Sequence, residues 1–202
     1  MKRSRLLLST LLLCALLLML CLPAFAAARG HAVYRALNSV GGATFGHGGV
    51  VSAVSGGAPT YVIHAPGNTV SPYTVTEVTI STFKGDGLDY YGTYCMPGTS
   101  TATYSNILVL AELLDDYNVP YVFTHQMDHE HVGSAGSILP KEITYIRCDG
   151  VIEYCYEYYD VELLGRTVNG LYYWDISNPL DYIYHASVTF TPQTQRALMT
   201  PS

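Results

Sequence analysis

The stretch KEITYIRCDGVIEYCYEYYDVELLG, residues 141–165, carries the clearest helical pattern of the chain and two of its five cysteines. Over residues 149–163, apolar side chains recur on one helical face while acidic side chains collect on the opposite face. Gly165 supplies a stop signal. The pattern predicts an amphipathic helix with Cys148 at its start and Cys155 two turns deeper on the apolar face.

The two cysteines of this stretch differ in the chemistry that their positions favour. Cys148 lies where the unpaired N–H groups and positive dipole end of the helix lower a thiol pKa, which favours thiolate. Gly150 would leave room for a substrate carbonyl, and the N–H groups of Cys148 and Asp149 are natural oxyanion donors. Cys155 suits a buried, inert position. A disulfide or a buried structural role for Cys148 is the alternative.

Two histidines have the context of a base for this thiol. TFGHGGVV places His47 at the start of a glycine-rich strand, and TYVIHAPGNTV places His64 at the end of the following one. A hairpin would bring both to one edge of a small sheet, where one imidazole takes the proton and the other orients it. Each histidine also fits an ordinary strand-end residue beside a turn.

The rest of the chain predicts an antiparallel sheet with few helices. Short β-rich runs separated by Gly, Pro, Asn and Ser turns predict a strand meander over residues 43–80. The remaining segments are predicted as a loop with one short strand (84–103), a helix (Ser105 to Tyr117), a loop (123–142) and two strands (170–176 and 181–192).

The N-terminal 26 residues have the pattern of a secretory signal peptide: a basic head, a leucine-rich run, then Pro23 before an A-x-A site. Residues 27–202 then form a single exported domain, secreted or in the cell envelope, with no stable membrane anchor after cleavage. Removal of the signal leaves seven basic against sixteen acidic residues, a net charge of −9. Such a charge disfavours nucleic acid and anionic membranes as partners.

Three cysteines remain after signal cleavage, so at least one is free or paired outside the chain. We expect Cys155 to be either unreactive or bonded to Cys95, which leaves Cys148 as the odd thiol. The stretch HQMDHEHVG invites a metal interpretation through His129 and His131, with Asp128 and Glu130 as further ligands. No other ligand cluster accompanies it, so a solvated or substrate-rim loop is the preferred interpretation. We expect no metal and no organic cofactor.

Two of these motifs resemble those of a known family. RCDGVIEYCYEYYDVELLG resembles the cysteine-bearing helix of the NlpC-type papain-like cysteine peptidases, in which D-C-S-G-[LF]-V opens a helix. GHGGVV…YVIHAPGNTV is similar to the histidine strand pair of that family, H-V-G-I-Y-I-G…I-H-A-P. Here the histidines precede the cysteine, which resembles the circularly permuted branch of the superfamily.

The resemblance implies an α+β, papain-like (NlpC-like) fold, circularly permuted, with an antiparallel sheet packed against the helix that bears the nucleophile. Carried over by motif, Cys148 matches the nucleophile, His47 the general base and His64 the residue that orients the imidazole. Two positions depart from the pattern: Arg147 stands where the family has Asp, and Asp149 where it has Ser.

The implied activity is a secreted thiol hydrolase, a cysteine peptidase or amidase, that cleaves amide bonds. The resemblance favours cell-wall peptides, so the expected partner is a peptide, peptidoglycan-like or acyl-amide substrate. Two alternatives stay open: an amidase or acyltransferase acting on lipid-like acyl substrates, and a catalytically dead secreted binding domain.

Overall fold

A computed structural model of the chain describes residues 27–37, 46–67, 73–124, 126–130, 138–163 and 191–202. These ranges combine an antiparallel sheet with a few helices, so the predicted mixed α and β class is confirmed. The predicted signal peptide, the predicted strand at 170–176 and all but the last two residues of the predicted strand at 181–192 lie outside the described residues. The end of that second strand is wrong, because Pro192 begins a helix. No helix in the described ranges is both long and apolar enough to cross a bilayer.

The described strands are β1 (Ala32–Ala36), β2 (Gly46–Ser55), β3 (Ala58–His64), β4 (Thr76–Thr79), β5 (Tyr90–Cys95), β6 (Met127–His129), β7 (Ile143–Ile146) and β8 (Thr200–Pro201). The main sheet has the strand order β4-β3-β2-β1-β5-β8, with every neighbouring pair antiparallel. A separate two-stranded sheet pairs β6 with β7.

The described helices are α1 (Ile80–Lys84), α2 (Thr101–Asp116), α3 (Cys148–Glu157) and α4 (Pro192–Leu198), with a 3-10 turn at Pro140–Glu142. Helix α2 begins four residues before the predicted start because the Ser100 side chain accepts a hydrogen bond from the Thr103 N–H and caps it.

The two faces of the main sheet bury different clusters. One face packs against α2 and α3 and holds the larger core, which includes Tyr34, Val50 and Ile152. The opposite face carries a smaller cluster of Val33, Val51, Val62 and Phe83, the last of which belongs to α1. Side chains alternate between these faces along each strand, so neighbouring residues of β2 point to different environments.

The structure corrects two further predictions for secondary structure. Residues 127–129 form a strand inside the segment predicted as a loop. Helix α3 ends at Glu157, earlier than predicted, and a turn follows it. The acidic face of this helix is not solvated, because three of its carboxylates are buried with the rest of the helix: Asp149, Glu153 and Glu157.

Gly150 also has a different role from the one predicted. A Cβ at this position would collide with the Gln126 carbonyl oxygen and press on the Ile146 side chain. The space is therefore filled by the segment before β6, and no room for a substrate carbonyl remains there. Glycine instead permits the close approach of that segment to the first turn of α3.

We expect the Gly150→Ala variant to lose about 1–3 kcal/mol in its free energy of unfolding, because the added methyl overpacks this contact. The loss should appear even though alanine is the better helix former by about 1 kcal/mol. Urea denaturation checks this, with Asn106→Ala on the exposed side of α2 as the control. A Gly150→Ala protein as stable as the wild type would contradict the packing described.

Candidate active site

The candidate nucleophile lies at the junction of β7 and α3. The chain leaves β7 through Arg147, whose extended backbone precedes the first helical residue, Cys148. The Cys148 thiol is 4% exposed. The backbone N–H groups of Gly48 and Asp149 lie close enough to its sulfur to lower its pKa. The thiol therefore lies beside the peptide bond that joins His47 to Gly48.

The two candidate histidines contact one another directly. His47 Nε2 is 2.6 Å from His64 Nδ1. The predicted hairpin brings them together because β2 and β3 are antiparallel, with Val50 paired to Ile63. Gly49 keeps the strands close, since a Cβ there would crowd the Ile63 carbonyl oxygen and the His64 Cβ.

Phe83 of α1 packs against both imidazoles. Its ring stacks on His47 with a centroid distance of 5.4 Å and meets His64 edge-on at the same distance. The histidines are 2% and 5% exposed, respectively. The two imidazoles are therefore tightly packed and shielded from solvent on the α1 face of the sheet.

The thiol lies beside the β2 backbone and is not hydrogen-bonded to the imidazole of His47. A Cβ at Gly48 would strike Ile152 of α3, so Gly48 faces α3 whereas His47 faces Phe83 on the other side. Among the described residues, no hydrogen bond joins Cys148 to His47, whose Nε2 contacts His64. His47 Nδ1 is the ring nitrogen that does not contact His64.

The protonation state of the Cys148 thiol differs from the one predicted from its position at the start of the helix. Burial, together with the adjacent Asp149 carboxylate, raises the pKa of Cys148 to about 12. The two backbone N–H groups and the Arg147 charge act in the opposite direction but are outweighed. The expectation of a lowered thiol pKa is therefore wrong: the resting thiol is protonated.

The histidines are also neutral at rest. Burial lowers the pKa of His47 well below 6.5, with smaller contributions from His64 and from the positive charge of Arg35. Burial and Arg35 lower the pKa of His64 to about 3. The thiol and the two imidazoles are therefore uncharged at rest, so no thiolate–imidazolium pair is formed in advance.

A buried polar cluster holds the first turn of α3. Arg147 Nε and Nη2 donate to the two carboxylate oxygens of Asp149 at 2.5 and 2.6 Å. Gln195 of α4 donates to the Asp149 carbonyl oxygen at 2.8 Å and to Glu153 Oε2 at 2.7 Å. Burial raises the pKa of Glu153 to about 8. The two departures from the family pattern, Arg147 and Asp149, are thus partners in one ion pair.

The three cysteines of residues 27–202 are free. Cys155 is fully buried in the larger core, as predicted, and Cys95 is partly exposed. The alternative of a Cys95–Cys155 disulfide is not present in the structure. Unreactivity of Cys155 stays a prediction.

The metal interpretation of the histidine-rich stretch gains no support. Within the described ranges, no group of three or more His, Cys, Asp or Glu side chains is arranged to hold a metal ion. Asp128 and His129 belong to β6. His125 and His131 lie outside the described residues.

Comparison of the chain with protein families, with curated proteins and with solved structures found no match. The functional interpretation therefore depends on the geometry of Cys148, His47 and His64, together with the motif resemblance.

The neutral, buried histidines make stability sensitive to acid. In the unfolded chain each imidazole takes up a proton near its usual pKa of about 6.5. Because the folded pKa values are lower, the histidines stabilise the fold above about pH 6.5 and lose that contribution as the pH falls towards about 3 for His64. We expect His64→Gln to lessen the loss of stability between pH 7 and about pH 5, by about 1–2 kcal/mol.

Urea denaturation of wild type and His64→Gln at both pH values measures this difference. Glu153 contributes with the opposite sign over part of the range, because its raised pKa favours the folded state at lower pH. It is common to both proteins and cancels in the comparison. Equal acid sensitivity of the two proteins would contradict the burial of a neutral His64.

Proposed function

We propose that the protein is an exported thiol hydrolase that cleaves amide bonds, with Cys148 as nucleophile, His47 as general base and His64 as the residue that orients His47. The observation that carries this proposal is that the thiol lies beside the backbone of Gly48, the residue that follows His47, and that His47 contacts His64. Cys148 Sγ lies beside the His47–Gly48 peptide, and His47 Nε2 lies 2.6 Å from His64 Nδ1.

The proposed reaction proceeds through a thioester. As Cys148 Sγ bonds to the substrate carbonyl carbon, the thiol proton passes to His47 Nδ1. The tetrahedral intermediate breaks its C–N bond, and the leaving amine receives that proton. Water then attacks the thioester with His47 as base, which releases a carboxylic acid and restores the thiol.

This mechanism requires one tautomer of the histidine pair. For His47 Nδ1 to accept a proton, the ring proton of His47 must be on Nε2, where it is donated to His64 Nδ1. The proton of His64 is then on its own Nε2. Because His64 fixes both the tautomer and the orientation of His47, it acts as a positioning residue.

The papain-like, permuted interpretation of the fold belongs to the same proposal. It is supported by the packing of α3 against β2 and by the order of the histidine strands before the cysteine helix. The signal-like N-terminus supports export. The motif resemblance favours amides of cell-wall peptides as substrates.

Incubation of the purified protein with peptides released from peptidoglycan tests the proposal, with products identified by mass spectrometry. We expect a new amine and a new carboxylate at one amide bond, absent with Cys148→Ala. Cleavage or transfer of an N-acyl lipid amide instead would favour the lipid alternative. No Cys148-dependent turnover of either substrate would favour a catalytically inactive binding domain.

A further inference from the structure

A cavity of about 430 Å³ opens near the end of α3 that is remote from Cys148. Such a volume is typical of sites for small molecules. Two segments form its walls: residues 96–100 with Thr103 of α2, and the turn of residues 159–162 that follows α3. Because α3 has ten residues and rises about 1.5 Å per residue, the cavity lies roughly 15 Å from the thiol. It is therefore separate from the candidate active site.

Both walls of the cavity are held in place by hydrogen bonds. The Tyr104 hydroxyl accepts from the Met96 N–H at 2.8 Å and donates to the Met96 carbonyl oxygen at 3.1 Å. In the opposite wall, the Asp160 N–H donates to the Glu157 carbonyl oxygen at 3.0 Å. The cavity is consequently formed before any ligand arrives, as ligand sites usually are.

The lining combines hydroxyls, carboxylates and one aromatic ring. The side chains that supply these groups are Thr99, Ser100, Thr103, Tyr159, Asp160 and Glu162. Asp160 and Glu162 are exposed, and Tyr159 is partly exposed. None of the described residues that line the cavity is basic. This balance of charge disfavours an anionic ligand.

We propose that this cavity binds a neutral sugar unit of a glycan. The flat Tyr159 ring can pack against the apolar C–H face of a sugar ring. Sugar hydroxyls would donate to the carboxylates of Asp160 and Glu162, which only accept hydrogen bonds when ionised. Ser100 Oγ and Thr103 Oγ1 lie 2.9 Å apart, so one donates to the other and the second hydroxyl proton is left for a sugar oxygen.

An ammonium group is the other ligand that this lining would attract. It would contact the two carboxylates and the face of the Tyr159 ring. However, an ammonium group has no acceptor for the hydroxyl proton that Ser100 and Thr103 offer. A sugar uses both the accepting and the donating groups of the lining, so the sugar is the favoured ligand.

The choice of an N-acetylated sugar rests on the proposed function. Peptidoglycan joins its peptides to a glycan of N-acetylated sugars. A glycan site on the same domain would hold this substrate by its sugar part while Cys148 acts on the peptide part. The site itself uses none of the proposed catalytic groups, so it can be tested without turnover.

Calorimetric titration with triacetylchitotriose, a trimer of N-acetylglucosamine, tests the site in the wild-type protein and two variants. We expect Tyr159→Ala to weaken binding about tenfold, because the surface that packs on the sugar is lost. Asp160→Asn should weaken it about fivefold, since a neutral acceptor replaces a charged one. Asparagine also tolerates the positive φ of 57° at this position, so this variant keeps the turn.

Tyr117→Ala is the matched control, because Tyr117 is an exposed tyrosine at the opposite end of α2. Its affinity for the trimer should equal that of the wild type. No saturable binding of the trimer to the wild type, or equal binding by Tyr159→Ala and Asp160→Asn, would overturn the glycan site.

NMR titration of the wild type locates the bound trimer. We expect the backbone signals of residues 96–103 and 159–162 to shift, and those around His47 and Cys148 to stay in place. Shifts confined to another part of the chain would overturn the site. Lysinamide is titrated separately as the ammonium probe. Binding of lysinamide without binding of the trimer would replace the glycan site by a cation site.

The two proposals can fail separately. Binding of the trimer that depends on Tyr159, without any Cys148-dependent hydrolysis, would retain the glycan site and reject the hydrolase. Hydrolysis that depends on Cys148 in a protein that does not bind the trimer would retain the hydrolase and reject the glycan site.

Discussion

Replacing Cys148 with alanine should reduce amide hydrolysis by at least about 10³-fold, because no other group at the site can form the thioester. Cys148→Ser should lose nearly as much. The serine hydroxyl is a poorer nucleophile, and a buried, neutral histidine pair is poorly placed to deprotonate it. Both variants should fold, since neither removes a residue of the larger core.

Cys95→Ala is the control for this prediction. Cys95 is a free, partly exposed cysteine of β5, so its removal tests whether loss of any thiol is enough. Initial rates of peptide cleavage, measured together with the circular dichroism of each variant, separate loss of chemistry from loss of fold. Full activity in Cys148→Ala would reject the nucleophile assignment.

The second prediction with a large effect distinguishes the general base, His47, from the residue that orients it, His64. His47→Ala should lose activity by about 10²- to 10⁴-fold, the usual contribution of a general base. His64→Gln should lose less and remain folded, because His47 stays in place but loses its fixed tautomer. The kcat values of the two variants under saturating substrate give the comparison.

The pH profile adds a check on the same pair. Since burial and neighbouring positive charge lower the pKa of His47, the acid limb of kcat/KM should lie below the usual imidazole value of about 6.5. Wild-type turnover in His47→Ala would make His47 a turn residue. The base would then be sought among His125, His129 and His131.

Local sequence patterns predicted the helices and strands that are long enough to show a periodic pattern of apolar residues. Alternation and turn residues identify β2 and β3, and helical spacing identifies α2 and α3. The short elements β1, α1 and β8 carry too few residues for a periodic signal. Strand β1 nevertheless lies inside the main sheet, because its place depends on pairing with β2 and β5.

For the candidate site, the sequence predicted which residues are involved but not the pKa of the thiol or the residues packed around it. The hairpin context of His47 and His64 indicated their proximity, and the contact is observed. The sequence carried no signal for Arg35, because its position beside the histidines follows from cross-strand register. The prediction of a lowered thiol pKa was wrong for a related reason. Burial of Cys148 and the buried charge of Asp149 outweigh the effect of the helix dipole on the pKa, and both depend on tertiary packing.

The central claim is that Cys148 forms the covalent intermediate, and trapping that intermediate tests it most directly. The protein is mixed with the peptidoglycan peptides, quenched in acid during the first turnovers and digested for mass spectrometry. We predict that the peptide containing Cys148 gains the mass of the acyl part of the substrate, and that hydroxylamine removes it. Product formation without this adduct, or with the adduct on another residue, would contradict the account.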